Sequence, residues 1–85
     1  MNLHGIVDSE VSLLSEGRAG YDIISGDERY LVRSEGRQAI KDAIFVRKGQ
    51  YMDITGEADD HVIKPGISRI DIRSELNRHS KEEER

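Results

Sequence analysis

Apolar and polar residues alternate over most of this chain, and the places where the alternation fails are as informative as the places where it holds. Over residues 3–14, Leu3, Gly5, Val7, Val11 and Leu13 fall on one side of a period-two pattern, while Ile6 and Leu14 fall on the other. The polar run Asp8-Ser9-Glu10 interrupts the alternation. A first strand that bends or bulges along its length has this signature. Ser15-Glu16-Gly17-Arg18-Ala19-Gly20 follows as a loop, with two glycines and no apolar period.

Two β-prone runs come next, Tyr21–Ser25 and Glu28–Arg33, separated by Gly26-Asp27. Glycine accepts positive φ without a Cβ clash, so this dipeptide suits a tight hairpin turn. A two-residue turn places Ile23 opposite Tyr30 and Tyr21 opposite Val32, which puts all four on one face as a core. The other face then carries Asp22, Ile24, Arg29, Leu31 and Arg33. A slip of one residue would exchange the two faces.

The period changes at residues 36–45. Ala39, Ile40, Ala43 and Ile44 recur at helical spacing, which predicts a short helix of about two turns that plugs one end of the fold. Gly49 reopens the extended chain. In Tyr51–Thr55, Met52 and Ile54 point one way and Tyr51, Asp53 and Thr55 the other. Glu57–Asp60 reads as a polar turn. A last strand runs from His61 to about Arg73 with Ile70 and Ile72 inward, and Pro65-Gly66 divides it into separate pieces. Residues 74–85 are polar enough to fray or stay disordered, leaving one domain over residues 1–73.

Composition narrows the classes. With 85 residues and 35% hydrophobic against 35% charged positions, the chain has material for one modest core, concentrated on few faces. There is no cysteine, so neither disulfides nor a thiolate zinc site supports the fold. The opening residues lack the basic and apolar regions of a signal peptide, and no stretch approaches a membrane span, so a cytoplasmic protein without membrane contact is expected. The net charge of −4 is divided: residues 1–28 carry one base against six acids, whereas residues 29–50 carry six bases against two acids. A basic segment inside an acidic chain weighs against a dedicated nucleic-acid domain and leaves a local basic surface in play.

Taken together, three strands, a short helix and two strands over residues 3–73 resemble the oligonucleotide/oligosaccharide-binding (OB) fold. Within it the chain is most similar to short single-domain barrels such as translation initiation factor one and S1-type modules. The shared features are Gly5 in the first strand, the Gly26-Asp27 turn, and a helix ahead of Val46-Arg47-Lys48-Gly49. Gly49-x-x-Met52-x-Ile54-x-Gly56 resembles the Gly-Asp-x-Val-x-Val pattern of those barrels. The resemblance implies a mainly β, five-stranded, closed OB-like barrel with one short helix between strands three and four. It implies a non-catalytic module whose ligand class is single-stranded nucleic acid. The chain departs from those RNA-binding modules in being acidic and poor in aromatics.

The resemblance also locates a surface, because OB barrels bind on the outer face of strands two and three and on adjoining loops. Arg29 and Arg33 fall there beside Ile24 and Leu31, and Arg37, Lys41, Arg47 and Lys48 border the same region, offering phosphate contacts. Tyr51 is the ring left free to stack a base. The plainer reading pairs these bases with neighbouring acids. An alternative role is a protein-interaction or self-assembling accessory domain without nucleic-acid binding, in which a partner covers Ile24 and Leu31. No metal or cofactor is expected: His4, His61 and His79 share no ligand spacing, and Asp53, Glu57, Asp59 and Asp60 do not follow the EF-hand order. Ser9, Ser12, Ser15, Ser25 and Ser34 have no histidine close in sequence, and no phosphate loop is present, so no enzyme is expected.

Overall fold

The computed structural model describes residues 1–72, and the expected tail at 74–85 lies outside the described residues. The chain runs β1 (Asn2–Val7), β2 (Ser12–Leu14), β3 (Arg18–Ser25), β4 (Glu28–Glu35), α1 (Gly36–Phe45), β5 (Tyr51–Asp59) and β6 (Val62–Ile70). Neighbours follow the order β1–β5–β6–β4–β3, and β3 returns to β1 through Ile6↔Ile24 and Val7↔Ile23. Five strands therefore close a barrel. The β4–β6 junction is parallel, through Leu31↔Val62 and Val32↔Ile63. The short β2 lies outside the ring, paired with β3.

The expected helix position needs correction, because α1 lies between β4 and β5 rather than between strands three and four. The reason is local. The residues read as one bent strand form two, with the break at the polar run after Val7. There the Asp8 N–H donates to the Asp22 carbonyl at 2.9 Å, and the Ser9 hydroxyl accepts from the Asp22 N–H at 2.9 Å. Contacts of this kind replace the ladder, so β1 turns toward β5 while β2 stays on β3.

The hairpin register is the expected one. Tyr21 faces Val32, Ile23 faces Tyr30, and Gly26 takes φ 62° at the turn. Tyr21, Ile23 and Val32 are buried with Leu3, Val7, Val46, Met52, Ile54 and Ile63, and the half-buried Tyr30 packs against that cluster. Gly5 lets β1 approach β3 where the barrel closes, since a Cβ there would collide with the Ile24 carbonyl.

β5 is longer than the pattern predicts, and β6 is one continuous strand where Pro65-Gly66 was expected to divide it. Glu57, Ala58 and Asp59 belong to β5, the turn falls at Asp60 and His61, and β6 continues through Pro65. A register shift between Thr55 and Gly56 places Gly56 opposite Pro65, and this bulge accommodates a residue that has no N–H for the ladder. Ile70 packs against the core, but Ile72 is exposed. The helix is also turned differently from its apolar spacing. It buries Ala39 and Asp42 and leaves Ile40 and Ile44 outside. Asp42 accepts from the Ser34 hydroxyl at 2.6 Å and from the Gln38 amide at 2.9 Å, and the Gln38 amide also reaches the Ser68 hydroxyl at 2.9 Å. Helix and barrel are thus joined by a polar network.

Candidate functional site

Strand pairing builds one row of side chains across the outer face of four strands. Tyr51 on β5 is the partner of Ile6 on β1, Ile6 of Ile24 on β3, and Ile24 of Arg29 on β4. Their chain neighbours Met52, Val7 and Ile23 are buried, so the alternation turns this row outward. A second row holds Asp22, Leu31 and Val62, and Arg33 follows two residues along β4, opposite Gly20. Ile6, Ile24 and Leu31 are half-buried, forming an aliphatic floor with a tyrosine on one flank and arginines on the other.

The ring of Tyr51 is held rather than loose. It is half-buried and stacks on His4, with centroids 5.9 Å apart and planes 23° from parallel. His4 Nε2 lies 2.9 Å from an Asp71 carboxylate oxygen and 3.9 Å from one of Asp53. Among the described residues, His4, Asp53 and Asp71 are the group whose donor atoms come close enough to share a cation, all within 4.8 Å. Asp53 is in turn the register partner of the exposed Arg69 on β6, so the Tyr51 flank carries charges of both signs. His61 stands elsewhere, 2.8 Å from Glu28 and 2.9 Å from Asp60 and tilted against Tyr30, and its hydrogen bonds to Glu28 and then Asp60 raise its pKa above the usual histidine value.

The expected basic residues divide into separate groups. Arg29 is exposed but engaged, 2.7 Å from Asp8 and 3.2 Å from Asp22, and hydrogen bonding and attraction to Asp8 raise its pKa further. Arg33 is exposed and has no ion pair among the described residues. It lines a shallow depression of about 240 Å³ with Arg18, Ser34, Glu35, Val62 and Lys64. Arg18 pairs with Glu16 and Lys64 with Glu35, each at 3.1 Å, which makes Arg33 the uncompensated cation of that hollow. Arg37 and Lys41 project from α1, off the sheet face. Arg47 donates to the Val46 carbonyl at 2.9 Å, capping the helix, and Lys48 lies in the loop that follows.

Arg29, Arg33 and Tyr51 are therefore brought onto one outer face, with Ile24 and Leu31 between them. Arg37 and Lys41 stand on α1 instead, while the loop carrying Arg47 and Lys48 adjoins the end of β1, where the Gly49 N–H donates to the Val7 carbonyl at 2.8 Å. Sequence reasoning missed Ile6, Val62, Arg18 and Lys64. Ile6 was visible as the even-numbered apolar residue in an odd-numbered strand pattern. The other three depend on long-range pairing between β3, β4 and β6, for which no local signal exists.

No protein-family model matches this chain, and no curated protein matches its sequence. Among solved structures it is similar to the small single-stranded DNA-binding protein from Streptomyces coelicolor, with a TM-score of 0.70 and 12% sequence identity over 87% of this chain and 93% of that one. The fold is an OB-type single-domain barrel. At that identity the likeness is one of backbone architecture. Among the described residues no helix is long and apolar enough to cross a membrane.

Proposed function

We propose that this OB barrel binds single-stranded nucleic acid without catalysis, on the outer face spanned by Tyr51, Ile6, Ile24, Leu31 and Arg33. The observation that carries the reading is the register row that joins Tyr51 to Ile6 and Ile24 as one continuous platform. An aromatic ring with adjoining aliphatic surface accepts any base, since every base has a flat π-face. The OB-type neighbour, described as a single-stranded DNA-binding protein, supports the ligand class. Arg33, free of acid partners among the described residues, attracts phosphates to the β4 side of the platform. Bases stack over the platform and the backbone runs on the Arg33 side. Arg37 and Lys41, on α1, contribute a field rather than contacts, while Arg47 and Lys48 stand in the loop hydrogen-bonded to Val7, next to Ile6.

A second reading follows from the engagement of Arg29. With Asp8 and Asp22 neutralising it, Ile24, Leu31 and the exposed Val62 form a patch of low local charge that a partner protein would cover. Titration of the protein with a fluorescent oligothymidylate, at low and at moderate salt, separates the two. Nucleic-acid binding predicts saturable anisotropy that weakens with salt, by about 0.7 in log–log slope per phosphate contacted. Tyr51→Ala should then cost about 1–3 kcal/mol of binding free energy. Absence of binding at low salt would leave the protein-partner reading.

A further inference from the structure

β2 lies outside the closed ring, yet its pairing carries the outer face one strand further. Ser12 is the register partner of Gly20 and Leu14 of Arg18, positions that alternate along β3 with the buried Ala19 and Tyr21. Leu13 is the partner of Ala19 and so takes the opposite face from Leu14, where it is 76% exposed. The two leucines of this short strand therefore have different surroundings, and one of them adjoins the platform.

Gly20 makes that contact possible. It is a position on β3 where the outer face has no side chain, and it is nevertheless buried. A Cβ there would meet Leu14 Cδ1 and the Val32 carbonyl oxygen at 3.5 Å, and Leu31 Cδ1 at 3.8 Å. Leu14 thus leans over Gly20 from β2 while Leu31 approaches from β4, and together they cover the bare backbone. Leu31 is the partner of Asp22, diagonal to both Ile24 and Gly20. The aliphatic floor that starts at Tyr51 consequently runs through Ile24 and Leu31 to Leu14, whose side chain stays 41% exposed. Arg33, the partner of Gly20 on β4, stands at this end without an ion pair among the described residues.

We propose that Leu14 and Leu31, meeting over Gly20, form a second base subsite, with Arg33 holding the adjoining phosphate. The subsite rests on the single-strand reading of the outer face and brings β2 into the interface. Its distance from the first subsite sets the length of the ligand. Gly20 and Ile24 are four residues apart on one strand, about 13 Å. A stacked strand advances about 3.4 Å per nucleotide, so about four nucleotides join the Tyr51 row to Leu14, whereas a dinucleotide fills one subsite alone. An aliphatic floor touches the flat face of a base and reads no edge, so this subsite takes any base that is unpaired and unstacked.

The chain has no tryptophan, so Leu14→Trp places a single fluorescent reporter at the subsite. Circular dichroism checks that each variant keeps the wild-type fold. Titration with an unlabelled oligothymidylate of about eight nucleotides, within the span that one OB barrel covers, should quench the indole and saturate. Saturable anisotropy of a labelled strand with unchanged indole emission overturns the second subsite and leaves the single-strand reading standing. Absence of saturable anisotropy with the wild-type chain overturns both. Leu14→Ala should weaken binding of the longer strand by about fivefold or more, the lower end of the range for one base contact, with an unchanged salt slope. Leu13→Ala, on the opposite face of the same strand, should bind as wild type. Equal losses in the two variants would mark β2 as a structural element only and overturn the subsite. On a dinucleotide, which the Tyr51 row holds by itself, Leu14→Ala should cost nothing; a penalty as large as on the longer strand overturns the two-subsite arrangement.

Discussion

The Arg29 guanidinium lies 2.7 Å from the Asp8 carboxylate, an ion pair that reaches from β4 across β3 to the end of β1. Asp22 on β3 adds a second carboxylate at 3.2 Å. The arginine at the centre of the outer face is therefore compensated, and Arg33 is the free cation beside it. Arg33→Ala should reduce the salt slope of oligothymidylate binding by about 0.7, the value of one phosphate contact on a single strand. Asp8→Asn should act in the opposite direction by releasing Arg29, tightening binding at low salt. Anisotropy titrations across a salt series measure both. A steeper loss for Arg29→Ala than for Arg33→Ala would reverse the assignment.

Tyr21 carries a buried hydroxyl with no hydrogen-bond partner among the described residues. Burial pushes its pKa well above the usual tyrosine value, and the nearby Asp42 carboxylate adds to the shift. An unsatisfied buried polar group costs about 1–3 kcal/mol, so Tyr21→Phe should leave stability unchanged or raise it within that range. The sign of the pH effect follows from the direction of the shift. The folded chain holds this proton more tightly than the unfolded chain does, so stability is present below pH about 10 and falls as pH rises beyond it. Alkaline thermal melts should show that loss in wild type and a smaller one in Tyr21→Phe.

Closure of the barrel at Gly5 leaves no space for a side chain, because a Cβ would meet the carbonyl of Ile24 and lie 3.1 Å from the Ile23 side chain. Gly5→Ala should destabilise the fold by about 1–3 kcal/mol or more, the range for overpacked interiors. Urea unfolding measures it. A midpoint unchanged from wild type would mean that β1 does not close onto β3 in solution.

His61 links the β5–β6 turn to the first residue of β4 through Glu28, with Asp60 on its other nitrogen. Its folded pKa lies above the ordinary histidine value. The stability it contributes is therefore fully present below that ordinary value and is lost as pH rises through the folded pKa. Proton NMR titration should place His61 above the value of a free histidine, and Glu28→Gln should lower it. A higher pKa in the variant would contradict the contact.

Period-two alternation and one glycine turn were enough to read the β3–β4 hairpin from the chain, down to the pairing of Tyr21 with Val32 and the outward placement of Arg29 and Arg33. Those facts are local, since a tight turn sets the register and the register sets both faces. The order of elements likewise pointed to a small barrel. Tertiary structure decided what local patterns cannot encode. Asp8 and Ser9 end one strand because they find Asp22, thirteen and more residues away. Asp42 enters the interior because Ser34 and Gln38 meet it there, and with that α1 turns Ile40 and Ile44 outward against their periodicity. The same long-range pairing placed Tyr51 beside Ile6 and left Arg37 and Lys41 on another surface. Local sequence determined which faces each strand carries; closure of the sheet, through contacts remote in the chain, determined which of those faces adjoin.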